Sequence, residues 1–183
     1  MPDALFHNWK SWTSAPKSPC RDEQWRPVVF LGSSVEGLSF AQAIQVNLDH
    51  VCETMIWSQG VFGLNEATLD SLSKAVVVSD FAVLVLTPDD MARARGKTSH
   101  TPRDNLIFEL GLFMGRLGRT RTFAVYDRTA DLKLPSDLAG ITIATFQPHR
   151  SGNLAAALGA ASTRIELAVR ELGPKRHHVK PGF

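Results

Sequence analysis

The sequence is poor in cysteine: Cys20 and Cys52 are the only two in 183 residues, with no CxxC pair and no histidine at ligand spacing. That excludes a disulfide framework and a thiolate metal centre, so a reduced, metal-free protein without a bound cofactor is expected. Long hydrophobic runs are also missing. Nothing approaches the ~18–20 apolar residues that cross a bilayer, and no membrane partner is expected. The opening MPDALFHNWKSWTSAPKSPC lacks the basic start and continuous apolar stretch of a signal peptide, so the expected location is the cytoplasm. Charge of one sign is scarce too: 20 Lys+Arg against 18 Asp+Glu leave a net +2. The arginines are scattered, and the longest basic cluster, PKRHHVK, reads as a solvated tail, so direct nucleic-acid binding is not expected. Internal repeats and low-complexity tracts are absent.

What is present is an ordinary globular composition, 44% hydrophobic, enough for one core with appendages. Residues 1–26 form an arm or linker rich in Pro, Ser and charge, carrying Trp9, Trp12 and Trp25. An ordered domain is expected over 27–172, followed by a tail over 173–183. Within the domain, PVVFLGSS reads as a buried strand feeding a turn. VEGLSFAQAIQVNLDH follows with Leu38, Ala41, Ile44, Gln45 and Leu48 at helical spacing. VCETMIW is a second strand, and NEATLDSLSKAVVVSD a second helix capped near Asn65. DFAVLVLTPDD is the third strand; MARARGKTSHTP, polar and punctuated by Gly and Pro, reads as a loop. RDNLIFELGLFMGRLG is a helix, TRTFAVY and ITIATF are strands four and five, and residues 153–171 form a closing helix.

Strands alternating with helices predict a parallel α/β sheet with right-handed crossovers, flavodoxin-like, in the order 2-1-3-4-5 with helices on both faces. Such sheets bind ligands outside the carboxyl ends of strands 1 and 3, where the strand order reverses. That rule selects GSS, TPDD and the start of the helix after strand 3.

In FLGSSVEG, backbone amides and the hydroxyls of Ser33 and Ser34 can hold phosphate or ribose oxygens. A plain serine N-cap stands level with that reading. The spacing fits neither GxxxxGK[ST] nor GxGxxG. Trp57, with Gly60, Phe62 and Gly63 after it, can stack on a base or close over a pocket; anchoring a loop is the alternative. Asp89 and Asp90 read first as turn residues rather than an acid–base pair. In RDNLIFELGLFMGRLG, Leu106, Leu110, Phe113 and Leu117 form the core stripe. Glu109 lies about 80° from its centre at ~100° per residue, on the border of core and rim. On residue chemistry alone, a half-exposed glutamate paired with Arg103 or Arg116 is the favoured reading. Gly111, Gly115 and Gly118 each cost about 1 kcal/mol against alanine within a helix. They predict close approach by another backbone, within the fold by default, although Gly118 also suits a C-terminal cap.

Taken in order, FLGSSVEGL, IWSQGVF, SDFAVLVLTPDD, RDNLIFELGLFMGRLG and LPSDLAGI resemble one family, the TIR-like domain of bacterial antiphage effectors of the CD-NTase-linked and Pycsar type. The resemblance runs from about Val28 to Ile165. It implies a flavodoxin-like TIR fold and an NAD+ hydrolase that releases nicotinamide and linear or cyclic ADP-ribose. Glu109 matches the family's catalytic glutamate. Gly32, Ser33 and Ser34 match the loop bordering substrate, and Trp57 and Phe62 the region closing over it. Asp104 and Asn105 belong to the helix start. With Asp89 and Arg103 they complete the candidate substrate-binding set. The implied partners are NAD+, further TIR domains through self-association, and a cyclic-nucleotide-sensing domain, for which 183 residues leave no room, so the chain is expected to be a fragment of a larger effector or to take its trigger from a partner chain. Two other readings remain: a non-enzymatic TIR-type signalling module, and an enzyme like nucleoside deoxyribosyltransferases, which share the layout and also cleave N-glycosidic bonds.

Overall fold

The structure, a computed structural model, describes residues 26–58, 67–94, 97–135, 138 and 140–175. The tryptophan-bearing arm, the loop with Gly60, Phe62 and Gly63, the expected cap near Asn65 and most of the tail lie outside the described residues.

Five parallel strands form the sheet: β1 (Val28–Ser33), β2 (Glu53–Ser58), β3 (Phe81–Val85), β6 (Thr122–Asp127) and β7 (Thr142–Phe146). Their order is β2-β1-β3-β6-β7, the expected 2-1-3-4-5 pattern. Strand β3 is buried at all five positions, as a central strand covered on both faces must be. Helices α1 (Leu38–Leu48) and α4 (Leu154–Leu172) cover one face, packing Ile44, Leu48, Leu158 and Ile165 against Val29 and Leu31. On the other face, α2 (Ala67–Val78) and α3 (Asp104–Leu117) pack Leu72, Leu106, Leu110 and Phe113 against Phe30 and Leu84. Alternation along β1 therefore supplies both cores. On α4, Leu167 belongs to neither: it is 62% exposed, on the side of the helix opposite Leu158, Ile165 and Val169, so grouping it with the core stripe by its apolar character fails.

The segment expected as a loop after β3 is instead an antiparallel hairpin, β4 (Asp90–Ala94) and β5 (Lys97–Thr101). Backbone pairing needs no apolar alternation, so composition alone concealed it. A two-stranded ribbon is marginal by itself. This one is tied to the β6–β7 connection, where the Lys133 amide donates to the His100 carbonyl at 3.0 Å.

Helix ends follow local chemistry. Asn153 caps α4 by accepting from the Ala156 amide at 3.0 Å. Gly118 ends α3 at φ +86°, its amide returning to the Met114 carbonyl. Gly111 and Gly115 overturn the expectation of a close intramolecular contact: a Cβ at either meets nothing within 4 Å among the described residues. They face outward beside Phe108, which is 57% exposed.

At the amino ends of the strands, Asp80 is buried and joins three elements. Its carboxylate accepts from the Val28 amide (2.9 Å) and the Lys175 amide (2.7 Å), fastening the exit of α4 to the start of β1. Arg121 donates to the Leu172 and Gly173 carbonyls at 2.9 and 2.8 Å and lies 4.7 Å from the Phe81 ring centroid. Replacing Asp80 with alanine removes the charged acceptor of two part-buried amides, so Asp80→Ala is expected to lower stability by about 2–3 kcal/mol, read as a fall in the urea midpoint. Gly115→Ala has the opposite sign. With open space at its Cβ, it should stabilise the monomer by up to about 1 kcal/mol in the same titration.

Candidate active site

The carboxyl ends of β1 and β3 bring most of the candidate residues together. Gly32 sits opposite Trp57 of β2 and Leu84 of β3 in the sheet register. Above it lies α3, whose Glu109 is 1% exposed. The expected half-exposed rim glutamate is thus a buried carboxylate. The reason is Gly32: an ideal Cβ there would fall 3.3 Å from Glu109 Oε2, 2.9 Å from Phe30 Cε1 and 2.4 Å from Leu84 Cδ1. A bare backbone on β1 makes the room that the carboxylate occupies. Beneath it, Phe30 packs on Phe113 with centroids 4.3 Å apart and on Trp57 at 6.4 Å. Phe113 is one helical turn beyond Glu109, so the same helix face carries both the carboxylate and its aromatic floor.

Ser33 and Ser34 are fully buried. Ser33 Oγ, at the last position of β1, has no hydrogen-bond partner among the described residues. Ser34 Oγ accepts from the Gly37 amide at 3.2 Å and lies 3.0 Å from Thr87 Oγ1. Thr87 in turn donates to Asp89 Oδ2 at 2.7 Å. Arg103 approaches the same Asp89 oxygen at 4.0 Å and bonds Glu36 at 2.9 Å. The loop after β1, the loop after β3 and the start of α3 are therefore joined by side chains. Asp104 and Asn105 are exposed in the first turn of α3, where the Asp104 charge complements the helix N-terminus. Phe62 lies outside the described residues. Thr87 and Glu36 escaped the sequence reading. The switch-point rule does select the TPDD loop, and a hydroxyl at the strand end is the signal within it.

Cys52 is not a competing nucleophile. It lies beside the amino end of β2, away from the site, and burial pushes its thiol up to about 11, keeping it protonated near neutrality. Among the described residues no cluster of three His, Cys, Asp or Glu could hold a metal. Two cavities, about 490 and 580 Å³, lie by His149 and Arg150 and by Arg26 and His50, and neither includes a candidate residue.

The tight fit at β1 has a direct consequence. Gly32→Ala should overpack the Leu84–Phe30–Glu109 contact and cost about 1–3 kcal/mol, measured by urea denaturation.

With this geometry in view, relatives can be placed. Residues 28–148 match the family model described as CAP12/Pycsar effector protein, TIR domain. The chain is 43% identical over 149 residues to the Pycsar effector protein PaPycTIR of Pseudomonas aeruginosa, covering 80% of this chain and 48% of that protein. It is 45% identical over 119 residues to CD-NTase-associated protein 12 of Flavobacterium daejeonense, covering 65% and 38% respectively. The chain thus spans about half or less of the length of these relatives. The order of the sheet and a family match that covers every strand of it and ends before α4 agree: the chain belongs to the CAP12/Pycsar effector TIR-domain family.

Proposed function

We propose that this chain is an NAD+ glycohydrolase of antiphage defence, with Glu109 as its catalytic residue. The observation that carries the reading is one buried carboxylate set against bare backbone at the carboxyl end of β1, where α/β sheets bind their ligands. Cleavage of the nicotinamide–ribose bond suits that equipment. The bond between ribose C1′ and the pyridinium nitrogen breaks with its electron pair going to nitrogen, which leaves as neutral nicotinamide. Positive charge develops on the ribose, and a carboxylate beside it stabilises that oxocarbenium character. Water adds to C1′ and gives its proton to solvent, leaving ADP-ribose; attack by the adenine end of the same molecule would give a cyclic product. The leaving group needs no protonation, so a single carboxylate is enough. Ser33, with a buried hydroxyl, and Trp57, at the end of β2, border the place where the ribose and nicotinamide would lie.

Self-association is the expected gate. Phe108 is 57% exposed on the outer face of α3, beside Gly111 and Gly115, which leave open space for a neighbouring surface. The same feature is what favours the second reading, a TIR-type module that acts by recruiting other TIR domains. The relatives are named as a Pycsar effector and a CD-NTase-associated protein, and in this reading a cyclic-nucleotide-sensing region elsewhere in the protein or on a partner supplies the assembly trigger. No helix among the described residues is long and apolar enough to cross a membrane.

Incubation with NAD+ across a protein-concentration series separates the two readings. Nicotinamide release should rise more steeply than linearly with concentration, and Glu109→Gln should lower it by about 10²–10³-fold. If neither dilute nor crowded, assembled protein releases nicotinamide, the module reading stands and the enzyme reading falls.

A further inference from the structure

We propose that Thr87 is the positioning residue that holds the Glu109 helix in register with the end of β1, an inference that rests on the reading of Glu109 as the catalytic group. Four side chains form a directional chain here. Asp89 accepts the hydrogen of the Thr87 hydroxyl at 2.7 Å. Thr87 has only that one hydrogen, so across its 3.0 Å contact with Ser34 it must accept, and Ser34 must donate. Ser34 then uses a remaining lone pair to accept the Gly37 amide at 3.2 Å, just before α1 begins. At the other end, the Asp89 oxygen that receives the Thr87 hydrogen lies 4.0 Å from the guanidinium of Arg103. Arg103 is the residue from which α3 starts: its carbonyl accepts the Leu106 and Ile107 amides at 3.0 and 3.3 Å, and no side chain caps the helix.

Thr87 therefore joins Ser34 of the β1–α1 turn to Asp89 and so to the first turn of α3, beside the direct bond from Arg103 to Glu36 of the same turn at 2.9 Å. Its donor and acceptor roles are both in use, and both are lost together. Valine has the same shape but can neither donate nor accept. It would leave the buried Ser34 hydrogen without its acceptor and Asp89 without its donor. Glu109 follows Arg103 by less than two helical turns, so loosening this start lets the carboxylate drift from its place over Gly32. Because the carboxylate acts on charge that appears only in the transition state, misplacing it should fall on turnover rather than on substrate affinity.

The test is Thr87→Val beside Thr87→Ser, which keeps the hydroxyl, with two readouts on the full chain. In amide hydrogen exchange, Gly37, Leu106 and Ile107 should exchange several-fold faster in Thr87→Val and return to wild-type rates in Thr87→Ser. In NAD+ cleavage, kcat should fall about ten- to hundredfold in Thr87→Val with KM within about twofold, and recover in Thr87→Ser. Thr87→Ala takes the place of Thr87→Val if exchange rises throughout the chain, the mark of global unfolding. Unchanged exchange at those three amides overturns the proposal. So does faster exchange with unchanged kcat, or a loss confined to KM. If the wild type itself cleaves no NAD+, the enzymatic reading is what fails, and exchange alone then decides whether Thr87 joins the two elements.

Discussion

The absence of a side chain at Gly32 is the constraint on which the site depends. On β1, between Phe30 and Ser34 on the same face of the sheet, any Cβ would lie within 2.4 Å of Leu84 and 3.3 Å of the Glu109 carboxylate. That gap admits a charged group into a layer otherwise filled by Phe30, Leu106, Leu110 and Phe113. Burying a carboxylate is costly unless its surroundings are arranged for it, and such an arrangement belongs at functional sites more than in cores. The helix that carries it is accordingly anchored hard on its inner face by the aromatic stack of Phe113 on Phe30.

The two ends of the sheet are finished with different chemistry. At the amino ends, Asp80 and Arg121 spend their hydrogen bonds on backbone groups of β1 and the exit of α4. Bonds of that kind fasten the amino end of the sheet to the exit of α4 and involve no candidate residue. At the carboxyl ends, bonding runs between side chains: Ser34, Thr87, Asp89, Arg103 and Glu36 link three separate loops and helix starts. The carboxyl rim, where the candidate residues gather, is thus the one braced by side chains, the kind of support that fixes the geometry of a site.

Much of this architecture was legible in the residues. The run Phe81–Val85 reads as a doubly covered strand because it is apolar at every position, and it is. Alternation with helices led to the strand order without any knowledge of side-chain contacts. The hairpin over 90–101 was not legible, since its stability comes from backbone pairing and from its tie to Lys133, far along the chain. Leu167 is apolar and nevertheless exposed, because two residues beyond Ile165 it stands on the side of α4 opposite the buried stripe of Leu158, Ile165 and Val169.

For the site, the sequence by itself determined which helix carries Glu109 and that it follows the third strand, since both are matters of order and spacing. The proposal of a reaction for that glutamate rests on the resemblance in its motifs, since the geometry of a lone helix suggests none. Only the tertiary structure decided that Glu109 is buried: the space for it is made by Gly32, 77 residues earlier, and no local rule connects the two. It likewise decided that Gly111 and Gly115 look outward. A glycine's cost is local and visible in any sequence. What stands opposite it depends on the packing of the whole chain, and here that is open space.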